Sequence, residues 1–355
     1  MSKIQKIPIS VMLATMLFMF LAVIPQTGDL YTAQLMGKII TYMIFALALD
    51  LLWGEAGLMN LGFAVFFGLG SYIFGISLAI QSGLPAFMKS GGLTKIPFFY
   101  QPLENVYLAI ILGVIVPAII AGLLGYFIFS SKIKGVFFNI ITLAFAGLFE
   151  LFIKNQQAYT GGSSGVNGIA TGLRDFTFFG ITIDMVGWYY IALVSLVLVF
   201  ISCYFIKASR LGRVINSIRD NEDRLQFLGY NPAVFKVVIF CIAAAVAGFA
   251  GVLYVPIASF ISIESAGVSF STMALVWLAV GGRGYLSGGL FGALLISLLQ
   301  NKFSNLFGGM WQLILGVVMI LIIFFLPKGI IGTIIELQKS YLSKKRHRIV
   351  KTEQN

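Results

Sequence analysis

Charge is what this sequence lacks. Only 10% of its 355 residues are Asp, Glu, Lys or Arg, 59% are hydrophobic, and the mean hydropathy is +0.96. A soluble domain of this length cannot cover its surface with so little charge. Histidine is almost missing. The one present, His347, lies in a basic tail beside Lys345, Arg346 and Arg348. There is therefore no His cluster and no Ser/His/Asp set, which argues against a membrane-embedded enzyme. The two cysteines, Cys203 and Cys241, each sit inside an apolar run with no ligand spacing nearby, and read as packing residues. No Gly-x4-Gly-Lys-[Ser/Thr] occurs, so the chain has no P-loop with which to bind ATP. Basic residues interleaved with aromatics are also missing. The net charge of +11 thus speaks for a membrane protein with Lys and Arg gathered on one side, not for nucleic-acid binding.

What the sequence does have is a succession of apolar runs near the length a helix needs to cross hydrocarbon, about 17–25 residues. They are rich in Leu, Ile, Phe, Val and Gly and show no two-residue alternation, so they predict helices and not barrel strands. The predicted fold is all-α, a polytopic transmembrane bundle of about ten helices over 8–25, 37–53, 58–80, 106–129, 136–153, 188–206, 237–256, 271–281, 285–300 and 311–327. Residues 1–338 read as a single transmembrane domain and 339–355 as a basic tail. Lys3 and Lys6 ahead of Ile7–Ile24 imitate a signal peptide. No small-x-small site follows Ile24, so this stretch is read as an uncleaved first span.

With the N-terminus inside, the outer side carries Lys38, Lys89, Lys95, Lys154, Arg174 and Lys302, and the other 18 of the 24 Lys and Arg fall inside. That asymmetry predicts both termini in the cytoplasm. Glycines interrupt the third span, at Gly68 and Gly70, and the late segment, at Gly281, Gly282 and Gly284. Broken helices in matching halves point to a transport site and to an inverted repeat of five plus five. Equally, such glycines let helices pack closely.

The most informative stretch is 207–236. It sets six basic and three acidic residues around Val214, Ile215, Ile218, Leu225 and Leu228, the spacing of short amphipathic helices lying outside the bilayer. Asp220 or Asn221 caps the second of them and Gly229 ends it. Such an element is either a solvated inside loop or a docking surface for a partner, with an apolar ridge among mixed charges to be gripped.

Ser209-Arg-x-Gly-Arg213, Ile218-Arg-Asp-Asn-Glu222, Gly229 and Lys236 resemble the coupling loop of ABC importer permeases of the branched-chain amino acid (LivH/LivM) class. Further resemblances lie in Gly54-Glu-Ala-Gly57-Leu-Met-Asn60-Leu-Gly62, Lys134-Gly135-Val-Phe-Phe-Asn-Ile-Ile-Thr142, Thr160-Gly-Gly-x-x-Gly165-Val-Asn-Gly168, Val280-Gly-Gly-Arg-Gly284 and Phe325-Leu-Pro327-Lys-Gly329. The arginine in Gly-Gly-Arg-Gly and the outer stretch Phe98–Asn105 are more like the urea permease (UrtC-type) branch. The resemblance implies a non-enzymatic permease subunit of an ATP-driven importer for urea or short-chain amides, with a branched-chain amino acid permease as the alternative. It implies no cofactor on this chain, ATP and Mg used by two separate ATPases, a second homologous permease subunit and an extracytoplasmic solute-binding protein. Coupling to the ATPases would fall to Arg213, Arg219, Asp220, Asn221, Glu222 and Gly229. A stand-alone channel or secondary transporter is the rival from another class.

Ionisable groups within spans are costly and mark pathways. Asp50 and Glu150 are the best cases, and no Lys or Arg lies mid-span, which tilts the cargo toward a neutral molecule such as urea. Glu150 has a plainer reading as an i,i+4 partner of Lys154, and Asp50 as a residue near the membrane surface beside Trp53 and Glu55. Asn60, Asn139, Thr142 and Trp277 complete the candidate pathway.

Overall fold

The computed structural model describes residues 9–27, 29–133, 135–169, 177–178, 181–325 and 329–334. The tail 339–355, with His347, lies outside the described residues, as do Lys134 and Arg174.

Each of the ten apolar runs is a helix. α1 is Ile9–Thr27. α2, Leu30–Leu49, widens into a π-helical turn over Asp50–Glu55. α3 is Ala64–Gln81, α4 the short Ala86–Ser90, α5 Val106–Ser130, α6 Val136–Asn155 and α7 the single turn Gln157–Thr160. A two-residue antiparallel pair, Thr177–Phe178 with Ile181–Thr182, precedes α8, Met185–Ala208. Two short helices follow, α9 (Arg210–Asp220) and α10 (Glu222–Phe227), then α11, Pro232–Ala258. α12 (Val268–Gly281) and α13 (Leu286–Phe307) are bent 116° from one another, and α14 is Trp311–Phe325.

Six of these, among the described residues, are long and apolar enough to cross a bilayer alone, and the bent α12–α13 pair adds a broken span or re-entrant loop. Enclosure ranks them. In α2 with its widened end and in α3, 78% and 83% of the apolar window is buried, against 22% in α6. α2 and α3 are therefore the centre, and α6 is peripheral. α5 and α6 present Ile111, Ile115, Ile119 and Leu123, and Ile140, Leu148 and Phe152, to the outside. Such faces are stable only against lipid or another apolar surface.

The centre is tight because small residues let backbones meet. α3 crosses α11 where Gly70 faces the Gly248 backbone, and α11 crosses α5 where Gly248 faces Gly113 and Pro117. This corrects the reading of Gly68 and Gly70 as a helix break: α3 runs unbroken from 64 to 81, and the two glycines are contact points, Gly68 against Ala266 and Gly70 against Gly248. The interruption in the first half falls earlier, over 56–63. There Gly57 adopts φ +72°, and the Asn60 side chain accepts the Gly62 N–H at 2.8 Å. α3 consequently begins six residues later than the apolar run at 58 predicts.

Polar clasps close the periphery. Tyr189 Oη donates to Leu21 O at 2.6 Å, tying α8 to α1, and Gln34 Nε2 donates to Ile257 O at 3.0 Å, tying α2 to α11. Asn105 caps α5, accepting from the Tyr107 and Leu108 N–H groups at 3.1 and 3.3 Å. Cys203 is buried and Cys241 half-buried, both as free thiols.

Candidate functional site

The α9–α10 segment folds as its spacing dictates. Ser209 Oγ accepts the Gly212 N–H at 3.3 Å to start α9. Gly212, Ile215 and Ile218, three residues apart, turn one face inward, while Arg210, Arg213 and Ser217 stay outside. Asn221, not Asp220, is the second cap: its Oδ1 accepts the Arg224 N–H at 3.0 Å. Asn221→Ala should cost about 1 kcal/mol at this cap. Hydrogen exchange across 222–227 should then quicken by about fivefold with the rest of the chain unchanged, since 1.4 kcal/mol is tenfold. Gly229, at φ +84°, ends the turn.

Leu225 is buried, but the next residues are not. Phe227 is 91% and Leu228 69% exposed, so Leu228 is not on the buried face its spacing suggests. Below them, Glu222 Oε1 meets Lys236 Nζ at 2.8 Å, and the ammonium stands 5.7 Å from the Phe129 ring centroid. A groove of about 710 Å³ opens there, walled by Tyr126, Phe129, Gln226, Tyr230 and Val234.

At the same end of the bundle the two chain interruptions meet. Asp50 Oδ1 accepts the Gly284 N–H at 2.7 Å, while Oδ2, also buried, has no hydrogen-bond partner among the described residues. Lys207 Nζ donates to Glu55 Oε1 and, at 2.6 Å, to Gly284 O. Asn216 Nδ2 donates to the other Glu55 oxygen at 2.9 Å. Arg219 donates to Gly54 O at 2.5 Å. The Arg283 guanidinium lies 5.6 Å from the Trp53 ring centroid, a cation–π distance. Gly281 packs on the Gly288 backbone, and Gly282 and Gly284 take φ +114° and +78°, which accommodates the reversal between α12 and α13.

Of the residues singled out from the sequence, this cluster gathers Asp50, Arg219, Gly281, Gly282 and Gly284. Arg219, expected to face a partner, spends one guanidinium N–H inside the chain; Asp220, 3.6 Å from its Nε, stays exposed. Arg213 donates to Ala208 O at 3.1 Å. Glu55, Lys207 and Asn216 were not foreseen. The signal was there: Glu55 and Lys207 both end long apolar runs predicted to terminate on the same side.

The other pathway candidates lie apart from this cluster. Asn60 and Thr142 come together, with Phe66, Ile141 and Phe240, around a cavity of about 10 Å³, room for about one water. Thr142 Oγ1 accepts the Leu61 N–H at 3.3 Å and donates to Asn139 O at 3.0 Å, so it meets Asn139 at the backbone. Asn60 Nδ2 is buried with no hydrogen-bond partner among the described residues. Glu150 pairs with Lys154 at 3.4 Å, one turn on, as its spacing suggests. Trp277 stacks on Tyr42 with centroids 5.3 Å apart, Tyr42 stacks on Tyr254 at 5.8 Å, and the indole N–H has no partner among the described residues. No group of three or more His, Cys, Asp or Glu among the described residues could hold a metal.

The family model described as "Branched-chain amino acid transport system / permease component" matches residues 31–323. The chain is 27% identical to the high-affinity branched-chain amino acid transport system permease protein LivM of Salmonella typhimurium and 28% identical to that of Escherichia coli, over 82% of this chain and 67% of each relative. It is 25% identical to the corresponding LivH protein of Salmonella typhimurium over 82% of this chain and 91% of the relative. No solved structure matches the chain.

Proposed function

The chain belongs to the branched-chain amino acid transport system permease family, and from that premise we propose that it is a membrane-spanning subunit of an ATP-driven importer of branched-chain amino acids. The observation that carries the cargo is the similarity to two LivM permeases over 82% of the chain. The urea reading drawn from the sequence yields to it. That reading rests on the arginine in Gly-Gly-Arg-Gly and the outer stretch Phe98–Asn105, and Arg283 has a local role against Trp53 at the helix break. The weaker, separate argument from a charge-poor interior does not exclude a zwitterion, because helix ends and freed backbone groups can hold a carboxylate and an ammonium.

The motor is supplied by other chains: two ATPases on the side of α9–α10, which is the cytoplasmic side, a second related permease subunit, and a solute-binding protein on the opposite face. The exposed pair Phe227 and Leu228 and the adjoining groove support this placement, because apolar side chains that the chain itself leaves uncovered suit a protein partner. Both termini then lie in the cytoplasm of a bacterial inner membrane.

Cargo is tested by uptake of labelled leucine and labelled urea into vesicles carrying the assembled complex. Leucine accumulation that unlabelled isoleucine and valine suppress, and urea does not, is the expected result. Urea accumulation without leucine accumulation reverses the assignment.

A further inference from the structure

Both helix interruptions are fastened to the corner where α8 passes into α9: Lys207, at the end of α8, holds both, and Asn216 and Arg219 of α9 hold the α2 end. Glu55, 3% exposed, closes the widened end of α2. Its two carboxylate oxygens are held by different elements, one by Lys207 at the end of α8 and one by Asn216 in α9. The same ammonium holds Gly284 O in the α12–α13 reversal, and Asp50 holds the Gly284 N–H from the α2 side. Arg219 adds a bond to Gly54 O, and its stem runs against Gly57, where an added Cβ would come within 2.8 Å of Arg219 Cγ. A carboxylate this buried, with both oxygens occupied, is not a screened surface pair. Taking one partner away leaves a buried charge uncompensated.

These bonds join the widened turn at the end of α2 and the residues just after it, 50–57, to 284 in the reversal. Residues at element ends are the ones that absorb hinge motion. We infer that Glu55, Lys207 and Asn216 are positioning residues for coupled transport. They transmit displacement of the α8–α9 corner to both helix interruptions at once, so that the α2 break and the α12–α13 reversal move together with the docked motor. This inference rests on the importer reading above and adds to it the route inside the chain.

The test uses the full complex of this chain, its second permease and its ATPases in vesicles, with leucine uptake and phosphate release measured on the same sample. Glu55→Gln keeps the volume and one acceptor but removes the charge, and Asn216→Ala is a milder cut that leaves the ion pair. Uptake per ATP hydrolysed should fall at least tenfold in Glu55→Gln and about threefold in Asn216→Ala. Hydrolysis and subunit co-purification should stay within twofold of wild type, and Lys207→Arg should keep more than half of the wild-type ratio. An unchanged ratio in Glu55→Gln, with the wild type driven by ATP, overturns the inference alone. So does a parallel loss of uptake, hydrolysis and assembled complex in both variants, which would make the cluster merely structural. A wild-type complex that takes up leucine without ATP, or not at all, overturns the importer reading and this inference with it.

Discussion

Replacing Phe227 and Leu228 together by aspartate is expected to lower ATP-driven uptake by about a hundredfold or more, while the chain stays folded in the membrane. Phe227 is 91% and Leu228 69% exposed, so within the chain they have little to lose. Substitution of side chains this exposed usually changes folding stability by less than about 0.5 kcal/mol, and since the pair closes α10 the new carboxylates add about 0.3–1 kcal/mol against the helix dipole, confined to that short helix. At an interface the arithmetic differs. A buried apolar anchor is worth about 2 kcal/mol or more when removed, and two of them lower affinity by roughly three orders of magnitude at 1.4 kcal/mol per decade. The loss should therefore appear as failure of the ATPases to co-purify, with the melting temperature of the isolated chain unchanged. Full uptake by the double variant would remove the ridge from the docking surface.

The second large effect is on stability. Gly248→Leu should prevent folding or lower stability by about 3 kcal/mol or more, at or beyond the usual cost of overpacking. A Cβ at Gly248 would collide with Gly113 O and come within 2.6 Å of the Pro117 ring, and from the other side Gly70 already faces the Gly248 backbone. These are main-chain and ring atoms at the crossing of α3, α5 and α11, and they cannot rotate aside as a flexible side chain would. The control is Gly147→Leu in α6, where an added Cβ meets nothing within 4 Å. Thermal unfolding of the two purified variants should separate them widely. Equal melting temperatures would mean that the helix crossing is looser than described.

The same glycines show what a sequence can and cannot tell. Ten apolar runs give ten helices, because burying unpaired backbone in hydrocarbon is so costly that length and apolarity alone suffice. Whether a glycine within a run breaks the helix or seats a neighbour is decided by that neighbour. For Gly70 it is Gly248, 178 positions away, which nothing local reveals. Gly281, Gly282 and Gly284 are crowded into four residues, so the reversal there was legible. The bounds of α10 were legible up to the choice between Asp220 and Asn221, since Asn221 and Gly229 act within three residues of themselves; the Ser209 cap of α9 is as local but is not singled out in the sequence.

Arg219 illustrates the opposite case. A basic residue on a short amphipathic helix reads as solvent- or partner-facing, yet its guanidinium goes to a carbonyl 165 residues earlier. Glu55 reads in the sequence as no more than a neighbour of Asp50 near the membrane surface, yet Lys207 and Asn216 enclose it. The pathway candidates divide in the same way. Glu150 and Lys154 are partners at four-residue spacing, as the sequence suggested, while the meeting of Asn60 with Thr142 depends on how α6 lies against the turn before α3.

The dependence of transport on an external motor is tested most directly by vesicles holding this chain and its companion permease, with and without the two ATPases. Labelled leucine should accumulate against a gradient only when the ATPases and ATP are both present, and should stop when hydrolysis is blocked. Leucine flux through the permease subunits alone, unaffected by adding ATPases and ATP, would contradict the account and make the chain a self-sufficient channel or carrier.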